Sequence, residues 1–192
     1  RLRRRIPLDR LLILDGKRGD IGSTALAYAR ALFDVLGADA VTVNPLMGRD
    51  AVAPFLQREG RGAFLVARSS NEGADDLLDQ RMADGRAMHA HIVEFGLSWD
   101  PGGAVGFVAG ATDVAAVAAV RAAAPSAALL VPGVGAQGGS LEDAVRAGID
   151  NDGGRLLLAV SRGIAQAAEG PGAAASALAG RIAAVRAATA PA

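Results

Sequence analysis

The chain has no cysteine anywhere in its 192 residues, which excludes disulfides, thiolate metal sites and cysteine nucleophiles. It is poor in aromatics, at 4%. It also lacks an excess of charge of either sign, with 20 basic and 20 acidic residues. A balanced surface sets up no long-range field to draw in DNA, RNA or an anionic membrane, so any anionic ligand has to be gripped by a local site. No apolar run reaches the roughly 20 residues of a membrane-spanning helix. The basic start, Arg1 to Pro7, has no apolar stretch of the secretory kind. It reads as the exposed end of a helix whose earlier turns are missing, and the initial Arg in place of Met suggests a piece of a longer protein. The absence of cysteine fits a cytoplasmic setting.

What the chain does have is rhythm. Short apolar runs at Leu11–Leu14, Ala40–Val43, Ala63–Ala67, Val105–Ala109, Ala128–Val131 and Leu156–Val160 alternate with helical patterns at Ser23–Leu36, Asp50–Arg58, Arg86–Leu97, Asp113–Ala124, Leu141–Ala147 and Ala173–Ala188. Runs that are apolar throughout are what parallel strands covered by helices look like. Gly37, Gly60 and Gly148 fall where helix C-caps are expected. The Ala-rich tail carries Leu178, Ile182 and Val185 at helical spacing, which predicts an amphipathic closing helix. No linker divides the chain, so 1–192 is expected to be one domain. Six strand–helix units predict an α/β fold, either a doubly wound open sheet or a (β/α)8 barrel short of two units.

The chemistry concentrates where the first strand gives way to a helix, the edge at which α/β enzymes build their sites. There the chain reads Asp15-Gly16-Lys17-Arg18-Gly19-Asp20-Ile21-Gly22-Ser23-Thr24. Residues two apart on a strand share a face, so Asp15 and Lys17 are expected to project together into a buried mouth. Neighbouring carboxylates favour the ammonium against the desolvation that would neutralise it. Alone, Asp-x-Lys reads as a structural ion pair; Asp20, Ile21 and Thr24 at these spacings turn it into a site. Further on, Pro132 to Gly139 is glycine-rich, with Gly133, Gly135 and Gly138 matching a dinucleotide fingerprint. That unit sits too far along the chain, and Asp150 and Asp152 too early relative to the next strand, for a Rossmann reading. What remains is a loop whose backbone N–H groups can approach a phosphate at a helix N-terminus.

The first segment resembles the Asp-x-Lys-Arg-Gly-Asp-Ile-Gly-x-Thr signature of bacterial orotidine 5′-phosphate decarboxylases, and the likeness runs on to near the C-terminus. The resemblance implies a TIM barrel needing no cofactor or metal, which converts orotidine 5′-phosphate (OMP) to UMP in pyrimidine biosynthesis, as a homodimer with shared active sites. Lys17 is implied as the proton donor to C6, and Asp15 as the carboxylate beside the substrate's own. Asp20 and Thr24 are implied to reach into the partner's site. Asp39 to Gly48 matches the family's fourth strand and its loop. Ser70, within Arg68 to Ala74, is implied to bond the pyrimidine, although Ser69 and Glu72 replace the usual Thr and Pro. Pro132, Gln137 and the Gly133–Gly138 loop, with Arg162 after the last strand, are implied to hold the nucleotide and its phosphate. Counted against the family, the strand at Lys17 is the third. The first two strands, with a ribose-binding aspartate and a second lysine, have no counterpart, so the barrel is expected to stay open and nearly inactive on its own.

Two rivals remain at this point: a Mg2+-dependent phosphosugar decarboxylase or aldolase of the same superfamily, and a non-catalytic phosphate-ligand-binding remnant. His89 and His91, two apart in a helix, are not expected to share a metal. Asp75, Asp76 and Asp79 are expected to form a solvated helix face, Trp99 to pack at a helix end, and Gly102-Gly103 to make a turn.

Overall fold

The computed structural model describes residues 3–100 and 102–189; Arg1 and Leu2 of the basic start lie outside them. Six strands form one parallel sheet: β1 (Ile13–Arg18), β2 (Ala40–Val43), β3 (Gly62–Arg68), β4 (Val105–Ala109), β5 (Ala128–Pro132) and β6 (Leu156–Ala159). Their order across the sheet is their order in the chain. A doubly wound sheet reverses direction at a switch point; this one never does, and it curls as an incomplete (β/α)8 barrel. β1 and β6 have no strand partner on their outer edges among the described residues.

The helices are α1 (Gly22–Ala29), α2 (Arg49–Leu56), α3 (Met88–Trp99), α4 (Val114–Ala123), α5 (Leu141–Gly148), the short α6 (Arg162–Ala165) and α7 (Pro171–Thr189). α1 continues into a wider π-helical turn over Arg30–Val35, with the Leu36 N–H reaching back to the Ala31 carbonyl at 3.0 Å. Apolar periodicity alone does not distinguish that turn from α-helix. α7 matches the expected closing helix: Val185 is buried, and Leu178 and Ile182 lean on the core.

Alternation along each strand splits the core in two. Val41, Val43, Leu65, Phe107, Leu129 and Val131 face outward into one continuous core with the helices. Ala40, Phe64 and Val108 face inward, flanked by half-buried Ile13, Val66, Ala128, Leu130 and Leu157. Whereas β4 is buried from end to end, β6 is only half-buried along Leu156–Leu158. That is the signature of an uncovered edge.

Three sequence expectations change. The first strand starts at Ile13 and runs through Arg18, because ladder bonding continues into the polar mouth where the apolar run has ended. Gly37, at φ +72°, does follow a helix end, but Gly60 lies three residues past the Gln57 cap of α2. Gly148 is still helical; a Cβ there would lie 2.8 Å from Leu156 Cδ1, so it is small for packing rather than for capping.

At the N-terminal ends of the strands, buried Arg121 donates to the carbonyls of Ala124, Pro125, Ala127, Gly148 and Arg155. One guanidinium thereby satisfies the backbone ends of two helices and the approaches to two strands.

Candidate active site

The opposite, C-terminal edge gathers the motif residues. β1 is irregular here. Leu14 pairs with Val41 and Arg18 with Val43, so Asp15, Gly16 and Lys17 together face the single residue Thr42. Lys17 has φ +44°, a region L side chains rarely adopt. The bulge, rather than regular alternation, puts the two side chains together: Lys17 Nζ lies 2.6 and 2.7 Å from the two Asp15 carboxylate oxygens. The ion pair is not buried, since its side chains are 50% and 60% exposed. This corrects the expectation of a buried ammonium: the pair sits on an edge strand with nothing paired beyond it. Desolvation works to raise the Asp15 pKa. Hydrogen bonds from Lys17 and Thr42, with the Lys17 charge, outweigh it and hold the carboxyl below its ordinary value.

Across the sheet, Ser70 Oγ donates to Gln137 Oε1 at 2.7 Å, joining the loops after β3 and β5. The fit is close. A Cβ on Gly133, which has φ +96°, would fall 2.8 Å from Ser70 Cβ, and one on Gly110 would fall 2.6 Å from Ser70 Cα. Beneath Ser70, buried Arg68 donates to the Ser69 carbonyl at 2.7 Å and forks onto Asp79. His89 Nδ1 lies 3.2 Å from the same Asp79. Asp79 is therefore part of the support under the loop, which the expectation of a solvated face missed. Asp75 and Asp76 are exposed as expected, but on a turn rather than a helix. Trp99, at the end of α3, stacks on Phe95 with 5.9 Å between ring centres. His91 turns to Asp84, 3.1 Å away.

A cleft of about 410 Å3 is lined by Asp15, Lys17, Ser70, Pro132, Gly133, Gln137, Ser161 and Arg162. Asp20 and Thr24 are not among its walls: Asp20 accepts the Ile21 N–H at 2.8 Å, and Thr24 lies in the first turn of α1. Gly135 and Gly138 also lie outside the cleft. Their left-handed conformations fold the loop on itself, with the Gly135 N–H donating to Gly139, Gly138 to Gly135 and Gly139 to Gly133. The N-terminus of α5 is closed as well, since Ser140 Oγ accepts the Asp143 N–H and acids fill the first turn. The N–H groups of Gly135, Gly138 and Gly139 are thus spent within the loop, while Gly133, Val134, Ala136 and Gln137 line the cleft. Gln137 and Arg162 both line the cleft. Arg162 makes no ion pair among the described residues.

A larger hollow, about 680 Å3, lies at the far end of the sheet between the Asp150–Gly153 turn and α7. It contains none of the motif residues, and size alone does not make it the site. Among the described residues no group of three or more His, Asp or Glu is placed to hold a metal ion, and no helix is long and apolar enough to cross a membrane.

The composition carries a signal of its own: Lys17 is the sole lysine among 20 basic residues. A guanidinium keeps its proton under all ordinary conditions, whereas an ammonium can give one up.

The chain is similar to known proteins along nearly its whole length. It is 52% identical over 167 residues to an orotidine 5′-phosphate decarboxylase of Roseiflexus castenholzii, covering 86% of this chain and 61% of the relative. It is 49% identical over 163 residues to one from Polaromonas naphthalenivorans, covering 83% and 57%. The solved structure of Leishmania donovani OMP decarboxylase superposes with a TM-score of 0.89 at 42% identity, covering 95% of this chain and 71% of that one. The chain thus spans about three-fifths of the length of its curated relatives. Residues 2–178 match the model of the orotidine 5′-phosphate decarboxylase / HUMPS family, and to that family the chain belongs.

Proposed function

We propose that a complete barrel containing this chain decarboxylates OMP to UMP, with Lys17 as the proton donor. The observation that carries this reading is the fixed Lys17–Asp15 pair in the same cleft as Gln137 and Arg162. The cleft offers an ammonium at one end and phosphate-binding groups at the other. The C6–CO2 bond breaks heterolytically, CO2 leaves, and the electron pair stays on C6. A proton from Lys17 Nζ then closes that valence. Asp15 holds the ammonium in place, so little reorganisation is needed as charge develops. Ser70 presents a donor and an acceptor suited to a pyrimidine edge. Pro132 and Gly133 form the wall beside it, and Gln137 and Arg162 take the phosphate. Gly135 and Gly138 shape the loop that carries Gln137. In this reading no metal or cofactor takes part. Asp20 and Thr24, outside their own cleft, serve the partner's site in a homodimer.

We take residues 1–192 as one partial barrel domain of a cytoplasmic biosynthetic enzyme, nearly inactive alone because the strands beyond β1 and β6 are not in it. Lys17→Ala in the complete barrel should abolish UMP formation; retained formation would overturn the assignment. The rival reading is a Mg2+-dependent phosphosugar decarboxylase or aldolase of the same superfamily; activity lost to EDTA and restored by Mg2+ would favour it.

A further inference from the structure

β2 is buried throughout, yet one of its four side chains is polar. Val41 and Val43 face the helices, while Thr42 faces inward with no exposed surface. A buried hydroxyl has to place one proton and use at least one lone pair. Thr42 Oγ1 donates to Asp15 Oδ1 at 2.8 Å and accepts the Lys17 backbone N–H at 2.9 Å. That N–H lies inside the β1 bulge, where three residues face one, and the hydroxyl takes the place of a ladder carbonyl.

We propose that Thr42 is a positioning residue for the reaction centre: its hydroxyl holds Lys17 in its left-handed backbone conformation and aims the Asp15 carboxylate at the ammonium. This role rests on the reading of Lys17 as proton donor. The charged side chains sharing the cleft with Asp15 are Lys17 and Arg162, and only Lys17 is bonded to it. A valine at this position would fill the same space while leaving both the Asp15 oxygen and the Lys17 amide short of a partner.

The test uses the 192-residue chain and needs no substrate. Labelling with 15N-lysine gives a single amide resonance, because Lys17 is the only lysine. In Thr42→Val, exchange of that amide should quicken about tenfold, the effect of losing one hydrogen bond, and the Asp15 carboxyl carbon should titrate at higher pH. Thr42→Ser, which keeps the hydroxyl, should restore both readings. The proposal is overturned if valine changes neither, or if serine changes both as much as valine does. Should the valine chain fail to fold, the unmodified chain still decides: the Thr42 hydroxyl proton must be slow to exchange and must shift as Asp15 titrates, and a proton indifferent to that titration sinks the idea. Failure of the decarboxylase reading shows separately, as UMP formation surviving Lys17→Ala in the complete barrel.

Discussion

At the scale of single residues the chain uses one ammonium where every other cation is a guanidinium. Lys17→Arg in the complete barrel preserves charge and removes proton transfer. It should lower kcat by at least about a hundredfold, in line with the usual contribution of a positioned general acid, while KM changes little; steady-state kinetics would show the split. Asp15 gives a second prediction. Its folded-state pKa lies below its ordinary 3.8, so its stabilising effect is fully present above the unfolded value and is lost as pH falls through the lower folded one. Asp15→Asn should therefore lower the neutral plateau slightly and leave the acid end unchanged, flattening the acid limb between them. The effect should be small and screened by salt, because the pair is more than half exposed. Denaturant melts across pH at two ionic strengths would check it. The sequence made this pair legible but not its support. Thr42 sits in an apolar run that marks a strand correctly and hides its one hydroxyl, and the bulge leaves no trace in apolar periodicity.

At the scale of elements, the loop after β3 stands on a charged post. Arg68 is 8% exposed and ties Asp79 to the Ser69 carbonyl. Arg68→Met should cost about 1–2 kcal/mol in urea unfolding, since it removes charge-assisted hydrogen bonds while Asp79, a third exposed, keeps His89. Binding of a UMP analogue should weaken along with stability, because Ser70 follows directly. Gly96 makes a sharper packing test. α3 lies so close to the sheet that a Cβ there would be 2.8 Å from both Leu65 Cδ1 and Phe107 Cε1. Gly96→Ala should destabilise by about 1–3 kcal/mol through overpacking, with the cleft unaffected. The bounds of β2 and β4 could be read directly from the sequence, because burial on both faces leaves runs without charged residues, Thr42 being the one polar side chain in them. β1 could not, because its last residues serve the mouth and carry charge. The Arg68–Asp79 contact spans a loop, and no local spacing reports it.

At the scale of the whole molecule, two strand edges have no partner among the described residues. β6 is only half-buried along Leu156–Leu158, and unpaired edges recruit other strands. The chain alone should self-associate with rising concentration in sedimentation velocity, and a charged substitution such as Leu157→Lys on β6 should reduce this. A monomer at every concentration would contradict the expectation. The motifs led to the barrel because they name a family, and the count of strands against that family led to its being open; the β1 bulge and its register needed coordinates. The order β1 to β6 has a mechanical consequence. The ammonium stands on one terminal strand and the guanidinium follows the other, so the gap between them works like the jaws of a calliper whose spring is the curl summed over five strand pairings. Without strands to close the ring, flattening at any of those junctions spreads the jaws.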